Sequence, residues 1–261
     1  LLNAPDVFEK NEVSEFKADY FLNNNIKSLL DIPIFLNGEL IGIVCFENTS
    51  IKVNWDNEDI NFARTISDFI SLAIASQKRD EAEKKLKYKS DLLSAMAICT
   101  EKFLSSKDID AIFDDVLIIM GKTTKSHRAY YYENDETTGL ISQKYRWIIN
   151  NDTLTENNVN LQNLPHHYFE ELLNPLLNNR IYKAIVRKIK NESLKTKLSN
   201  IEVASIIIFP IFVKNNFHGF LGFDDTKNER IWSEDEVNIL KTLARNISYS
   251  IERITNETAI H

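Results

Sequence analysis

The sequence is poor in the groups that mark reactive or anchored proteins. Its 261 residues hold two cysteines, Cys45 and Cys99. They form neither a disulfide framework nor a zinc-ligand spacing and read as reduced, buried thiols. No apolar run approaches the ~20 residues that a membrane span needs, so no membrane insertion is expected in this chain. It opens Leu1-Leu2 without a methionine or a signal peptide, which reads as a cytoplasmic piece of a longer protein. A basic excess is also missing: 38 acidic against 31 basic side chains leave a net charge of -7. That balance excludes nucleic acid as the expected partner, because phosphate binding needs a basic face. The densest lysine cluster, residues 84–89, is interleaved with Arg79, Asp80, Glu81 and Glu83 and reads as a solvated helix face. No nucleophile stands with a base in a recognisable motif. His166-His167 lacks a third ligand at metal spacing, and Gly219-x-x-Gly222 lies within a strand rather than in a phosphate loop. No enzymatic activity is expected of this chain.

What is present is an internal repeat. Residues 28–74 align without a gap on residues 205–251 at a constant offset of 177, with 13 of 47 positions identical. Ser28 pairs with Ser205, Pro33 with Pro210, Gly42 with Gly219, Phe46 with Phe223 and Trp55 with Trp232. A period this long implies two copies of one domain. With 43% apolar and 26% charged residues the chain can bury a core in each. The first copy lacks a counterpart of residues 90–177 and is expected to be a half-domain.

Each copy reads as a strand, a turn, a returning strand and a helix. Asn37-Gly38 predicts a two-residue hairpin. Asp56 and Ser233 predict helix caps, each followed by acidic residues in the first turn. Residues 12–24 carry Val13, Phe16, Tyr20 and Phe21 at helical spacing. Between the repeats, neither Gly nor Pro interrupts residues 57–107, which predicts one continuous helix of about 75 Å. A heptad fits it. Leu72, Arg79, Leu86, Leu93 and Thr100 take one position; Ala75, Ala82, Lys89, Met96 and Phe103 take the position three residues on. Seven of these ten are apolar, a pattern that predicts a parallel two-stranded coiled coil and hence a homodimer through this helix. Further on, Asp108 is expected to cap a helix over 109–125. Residues 128–133 and 140–150 read as paired strands, residues 151–163 as an irregular polar stretch and residues 165–177 as a helix. A short strand over 181–186 and a short helix over 192–199 precede the second repeat.

Residues 25–34 (NIKSLLDIPI), 42–47 (GIVCFE) and the Trp55 segment resemble the closing half of GAF domains of bacterial sensor proteins. Residues 127–134 (HRAYYYEN), 219–225 (GFLGFDD) and 230–236 (RIWSEDE) resemble a complete GAF domain of the kind that precedes histidine kinase or diguanylate cyclase modules. The resemblance implies an α+β fold: an antiparallel sheet with helices on one face, in two copies joined by a long helix. The expected organisation is a half GAF domain over 1–75, a connecting signalling helix over 76–107 and a complete GAF domain over 108–258.

It also implies a pocket on the sheet face away from the terminal helices. By strand alternation, Ile206, Ile208 and Leu221 are expected under the helices. Ser205, Ile207, Phe209, Phe220, Gly222 and Asp224 would then face the pocket. By resemblance, Tyr130 and Tyr132 share that face, and His166, Phe169 and Ile185 roof it. Adjacent Asp224 and Asp225 must point to opposite faces, with Asp225 serving the turn. No cofactor is named by these residues. Bilin-binding GAF domains would need a cysteine near the roof, where neither Cys45 nor Cys99 stands. The cyclic-nucleotide signature is not evident, and the GAF-type methionine sulfoxide reductases need more cysteines. His127, His166, His167 and His218 are the available haem ligands.

The expected function is a non-catalytic sensory input module that binds an unidentified small molecule and relays its presence through a dimeric helix to an output domain elsewhere. One rival is a structural dimerisation module whose pockets are filled by side chains. The other is a haem or chromophore sensor.

Overall fold

A computed structural model of the chain describes residues 1–106, 110–149 and 161–258. Two compact units divide it at Leu86/Lys87. No helix among the described residues is long and apolar enough to cross a membrane.

In the first unit, β1 (Leu2–Ala4), β2 (Ser28–Leu36) and β3 (Glu39–Asn48) form an antiparallel sheet in that order. Asn37 and Gly38 take φ of 53° and 85°, the left-handed pair that a two-residue hairpin with the sheet's own twist requires. Residues 12–24 are not one α-helix. A 3-10 turn over Asn11–Phe16 runs into a π-turn over Lys17–Phe21, with non-helical backbone at Val13. Both buried side chains there, Val13 and Phe21, close a small core with Ala4, Val7, Ile26 and Leu29.

The helix α1 (Asn57–Ser105) is continuous, as the absence of breakers predicts. Asp56 Oδ1 accepts from the Glu58 and Asp59 amides while Asp59 returns a carboxylate oxygen to the Asp56 amide, a reciprocal cap that satisfies amides orphaned at a helix start.

The second unit is built on a six-stranded antiparallel sheet, β6-β5-β4-β9-β8-β7. Its strands are β4 (Arg128–Asp135), β5 (Leu140–Ile148), β6 (Leu164–Pro165), β7 (Tyr182–Ile185), β8 (Ser205–Val213) and β9 (Asn216–Asp225). One face packs on α2 (Asp110–Thr123), α5 (Glu234–Thr258) and the later turns of α1 through Leu92, Phe103, Phe113, Phe209, Leu243 and Ile247. The other face is covered by α3 (Glu170–Leu177), α4 (Glu192–Asn200) and the 3-10 turn His166–Phe169. The expected cap at Asp108 and the irregular stretch over 151–160 lie outside the described residues.

Two expectations about α1 and the sheet need correction. Met96 and Phe103, assigned to the coiled-coil seam, are buried in the second unit's own core along with Cys99; an apolar stripe on a helix serves whichever surface is nearest. Leu72, Leu86 and Leu93 remain 66%, 70% and 53% exposed.

The second correction concerns β8. Ile207 and Phe209 face the helices, whereas Ile206 and Ile208 face away from them. The hairpin turn alone would pair Val213 with Asn216 and continue to place Ile208 opposite Leu221. Instead the register slips by one between Ile211 and Phe212, leaving His218 as an extra residue and putting Ile208 opposite Gly222. A one-residue slip turns every side chain beyond it to the other face. The first unit carries the same bulge between Ile34 and Phe35, with Ile41 as the extra residue.

Arg230 ties the second unit's ends together. Its guanidinium donates to the Thr124 carbonyl at the end of α2, to Tyr88 Oη on α1 and to Glu236 on α5, and it stacks 4.0 Å over the Trp232 ring. Tyr88 in turn donates to Glu236 Oε1 at 2.5 Å. Glu236 also completes the reciprocal cap with Ser233.

Candidate functional site

The face of the second sheet away from α5 holds a cavity of about 120 Å³. Its floor is made by alternate residues of the three central strands: Tyr130 and Tyr132 on β4, Phe220 and Asp224 on β9, Ile206 and Ile208 on β8. Tyr132 stacks on Phe220 at 4.8 Å and meets Tyr130 and Phe169 edge-on at 5.6 and 6.3 Å. Such pairs add directional stability to their area burial.

Asp224 is the polar centre. It is 2% exposed, and Tyr130 Oη donates to its Oδ1 at 2.7 Å. The tyrosine can cross β9 to reach it because the residue opposite is Gly222: a Cβ there would lie 2.1 Å from the Tyr130 ring. Burial pushes the Asp224 carboxyl up to about 7, against the opposing pulls of the Tyr130 hydrogen bond and the Arg128 charge. A buried charge is costly unless paired, so the carboxyl holds its proton further into the neutral range. Asp225, on the opposite face, accepts from the Lys227 and Asn228 amides and builds the following turn. His127 Nδ1 lies 3.2 Å from Asp225 and accepts from the Thr226 amide.

The roof and rim come from elements with their own anchors. Asn191 caps α4 by accepting from the Leu194 amide. This cap fixes Leu198 and Lys197 over the cavity. Lys197 donates to the Tyr168 carbonyl at 2.7 Å and sits 4.0 Å from the Tyr168 ring centroid. Arg128 Nη1 donates to the Ile201 carbonyl at 2.7 Å. Arg146 and Gln143 reach the cavity as cross-strand partners of Tyr130 and Tyr132.

Of the residues expected at the site, Tyr130, Tyr132, Phe169, Phe220 and Asp224 meet at this cavity. Ser205, Ile207 and Phe209 do not. The bulge at His218 puts Ile207 and Phe209 into the helix-side core. Ser205 instead donates to the Asn228 carbonyl and accepts from the Arg230 amide. Ile185 is opposite Ser205 on the edge strand, away from the cavity. His166 is bonded to Asn134 at 2.7 Å rather than lining the site, and none of His127, His167 or His218 lines it. Arg128, Gln143, Arg146, Tyr168, Lys197 and Leu198 escaped sequence reasoning. Pairing β4 with β5 would have found Gln143 and Arg146, had the bulge between Tyr131 and Tyr132 been known.

Cys99 is buried under the helices, where burial pushes its thiol up to about 12. Cys45, expected to be buried, is exposed on β3. No metal-holding group of three or more His, Cys, Asp or Glu occurs among the described residues.

Three comparisons bear on this arrangement. The family model of the GAF domain matches residues 2–74 and 108–251. The methanogenesis regulatory histidine kinase FilI of Methanothrix harundinacea (strain 6Ac) is 35% identical over 188 residues, 71% of this chain. The chain spans only 20% of that relative's length. Among solved structures, the phycoerythrobilin-bound GAF domain from a cyanobacterial phytochrome superposes with a TM-score of 0.56 at 16% identity, covering 64% of this chain and 97% of that one. The phycocyanobilin-bound form gives 0.54 at 17%, covering 64% and 96%. At such identities these two show a shared fold.

Proposed function

Because the chain belongs to the GAF domain family, we propose that it is a sensory input and transmission module, with the cavity of the second unit as its small-molecule site. The observation that carries this reading is the buried Asp224 at the floor of an aromatic cavity. A few convergent polar groups in an apolar pocket are the usual make-up of a ligand site. The likeness to FilI supports a histidine kinase as the output of the longer protein. The whole would act in the cytoplasm, with the first unit as half of a second GAF domain.

Strand β8 gives the relay a physical basis. Ile206 and Ile208 line the cavity while Ile207 and Phe209, on the same strand, pack in the core that holds Leu240, Leu243 and Ile247 of α5. A ligand that moves β8 therefore moves the seat of α5. It can shift the equilibrium only by its differential affinity for the two positions. A second reading, a structural dimerisation module, is favoured by one observation. Leu72, Leu86 and Leu93 are exposed on one heptad position, fourteen and seven residues apart with Arg79 between the first two, a seam for a partner helix. Native mass spectrometry of the chain, followed by a denaturing run, separates the two. An extra mass that disappears on denaturation is expected for the sensor. A bare dimer favours the structural module, and a bare monomer removes the shared-helix part of both.

A further inference from the structure

The cavity's walls change character from floor to rim. At the floor, Asp224 Oδ1 is taken by Tyr130, while Oδ2 accepts no hydrogen bond from the described residues. The middle is aromatic, with Tyr132 stacked on Phe220 and Phe169 edge-on to it. The rim is cationic. Lys197 is half-buried and Arg146 exposed, and both line the cavity without a carboxylate within 4.0 Å among the described residues. Lys197 is held by a carbonyl and a ring instead. A cation fixed by neutral groups keeps its charge uncompensated and is set to bind an anion.

Size narrows the choice further. An engineered cavity of about 150 Å³ takes up benzene, so at 120 Å³ this cavity is on the scale of one ring rather than the four of a tetrapyrrole. We propose that this site takes a single-ring aromatic or heteroaromatic carboxylate that carries a hydrogen-bond donor on its ring. The carboxylate meets Lys197 and Arg146, the ring lies against Tyr132 and Phe169, and the donor reaches Asp224 Oδ2. The inference rests on the reading of the cavity as a ligand site. It adds the charge, size and polarity of the occupant.

Calorimetric titration of the full chain with 4-hydroxybenzoate, benzoate and phenol tests it at pH 8, above the range in which Asp224 keeps its proton, so that Oδ2 is a charged acceptor. One equivalent of 4-hydroxybenzoate is expected to bind. Phenol, which lacks the carboxylate, and benzoate, which lacks the donor, should each bind about tenfold more weakly, the worth of one charge-assisted hydrogen bond. The double variant Lys197→Met/Arg146→Met should erase the preference over phenol while keeping the parent's near-ultraviolet circular dichroism. Equal binding of phenol and 4-hydroxybenzoate, or a preference that survives the double variant, overturns the proposed class and leaves the cavity a ligand site. If no ring binds while native mass spectrometry finds another bound mass, only the class is lost. If no ring binds and no mass is found, the site itself is lost as well.

Discussion

Glu47 and Asp224 occupy the same position in two copies of one strand, 177 residues apart, and each accepts a tyrosine hydroxyl. In the first unit Tyr20 donates to Glu47 at 3.1 Å on the surface; in the second Tyr130 donates to Asp224 at 2.7 Å in the interior. The tyrosines come from unrelated elements, a π-turn between β1 and β2 in the first unit and a sheet strand, β4, in the second. The strands share Gly42/Gly219 and Phe46/Phe223, yet Ile43 on β3 is 54% exposed and its apolar counterpart Phe220 on β9 is 2% exposed. What differs is the company. β9 is flanked by β4 and roofed by α3 and α4, whereas β3 is the edge of a three-stranded sheet. The repeat supplies a helix-facing core in both copies and part of the cavity floor in the second; the cavity closes only where β4, α3 and α4, which lie outside the repeat, complete the floor and cover it.

This comparison can be broken in three ways. The largest effect is expected from Phe223→Ala against Phe46→Ala. Phe223 is fully buried between the sheet and α5, so its loss should cost about 3–5 kcal/mol. Phe46 is only half-buried, and its loss should cost no more than about half as much. Urea midpoints at unchanged slope measure both. Equal costs would mean that the first unit is packed more completely than its exposed β3 indicates.

The next effect depends on pH. Folded Asp224 keeps its proton to about 7, while the unfolded chain releases it in the ordinary carboxylate range. Folding therefore takes up a proton between those values. Stability falls as pH rises through that window and stays low above it. Asp224→Asn should remove that slope and be more stable than the parent at pH 8 by a few kcal/mol. Urea unfolding at pH 5 and pH 8 checks it, with Glu47→Gln as the surface counterpart. A parallel pH dependence in parent and Asn variant would show that Asp224 does not hold an extra proton in the folded state between pH 5 and pH 8.

The smallest concerns the residue pair Gly222 and Cys45, again 177 apart. Gly222→Ala drives a methyl into the Tyr130 ring and should cost about 1–3 kcal/mol as overpacking. Cys45→Ala, at an exposed site, should stay within about 0.5 kcal/mol. A tolerated Gly222→Ala would show that Tyr130 can leave Asp224 without loss.

Much of the fold was legible because its signals are local or repeated. The gap-free offset of 177, the Asn37-Gly38 turn and the caps at Asp56 and Ser233 each rest on neighbouring residues. The long helix needed only the absence of Gly and Pro. The site was less legible. Tyr130, Tyr132 and Asp224 follow from strand alternation and resemblance, but the face of β8 does not. One extra residue, His218, separates turn parity from strand parity, and a bulge leaves no mark in hydrophobic pattern. The rim is illegible for another reason. Arg146 and Lys197 come from a strand and a helix that meet only in the tertiary fold, and either charge alone reads as surface.

The hydrogen bonds centred on Arg230 bear on how this chain emerges during synthesis. Tyr88 meets Arg230 and Glu236 across 142 and 148 residues of sequence, and Leu92 and Phe103 share a core with Leu243 and Ile247. The first-made and last-made segments of the second unit thus close on each other. Contacts of such sequence separation form late, after long loops have been closed. The sheet of this unit must wait, with its α5-facing side uncovered, until the ribosome has delivered the last helix. An excised version that starts at residue 108 would keep the sheet and cavity strands but never receive the turns of α1 that complete the closure.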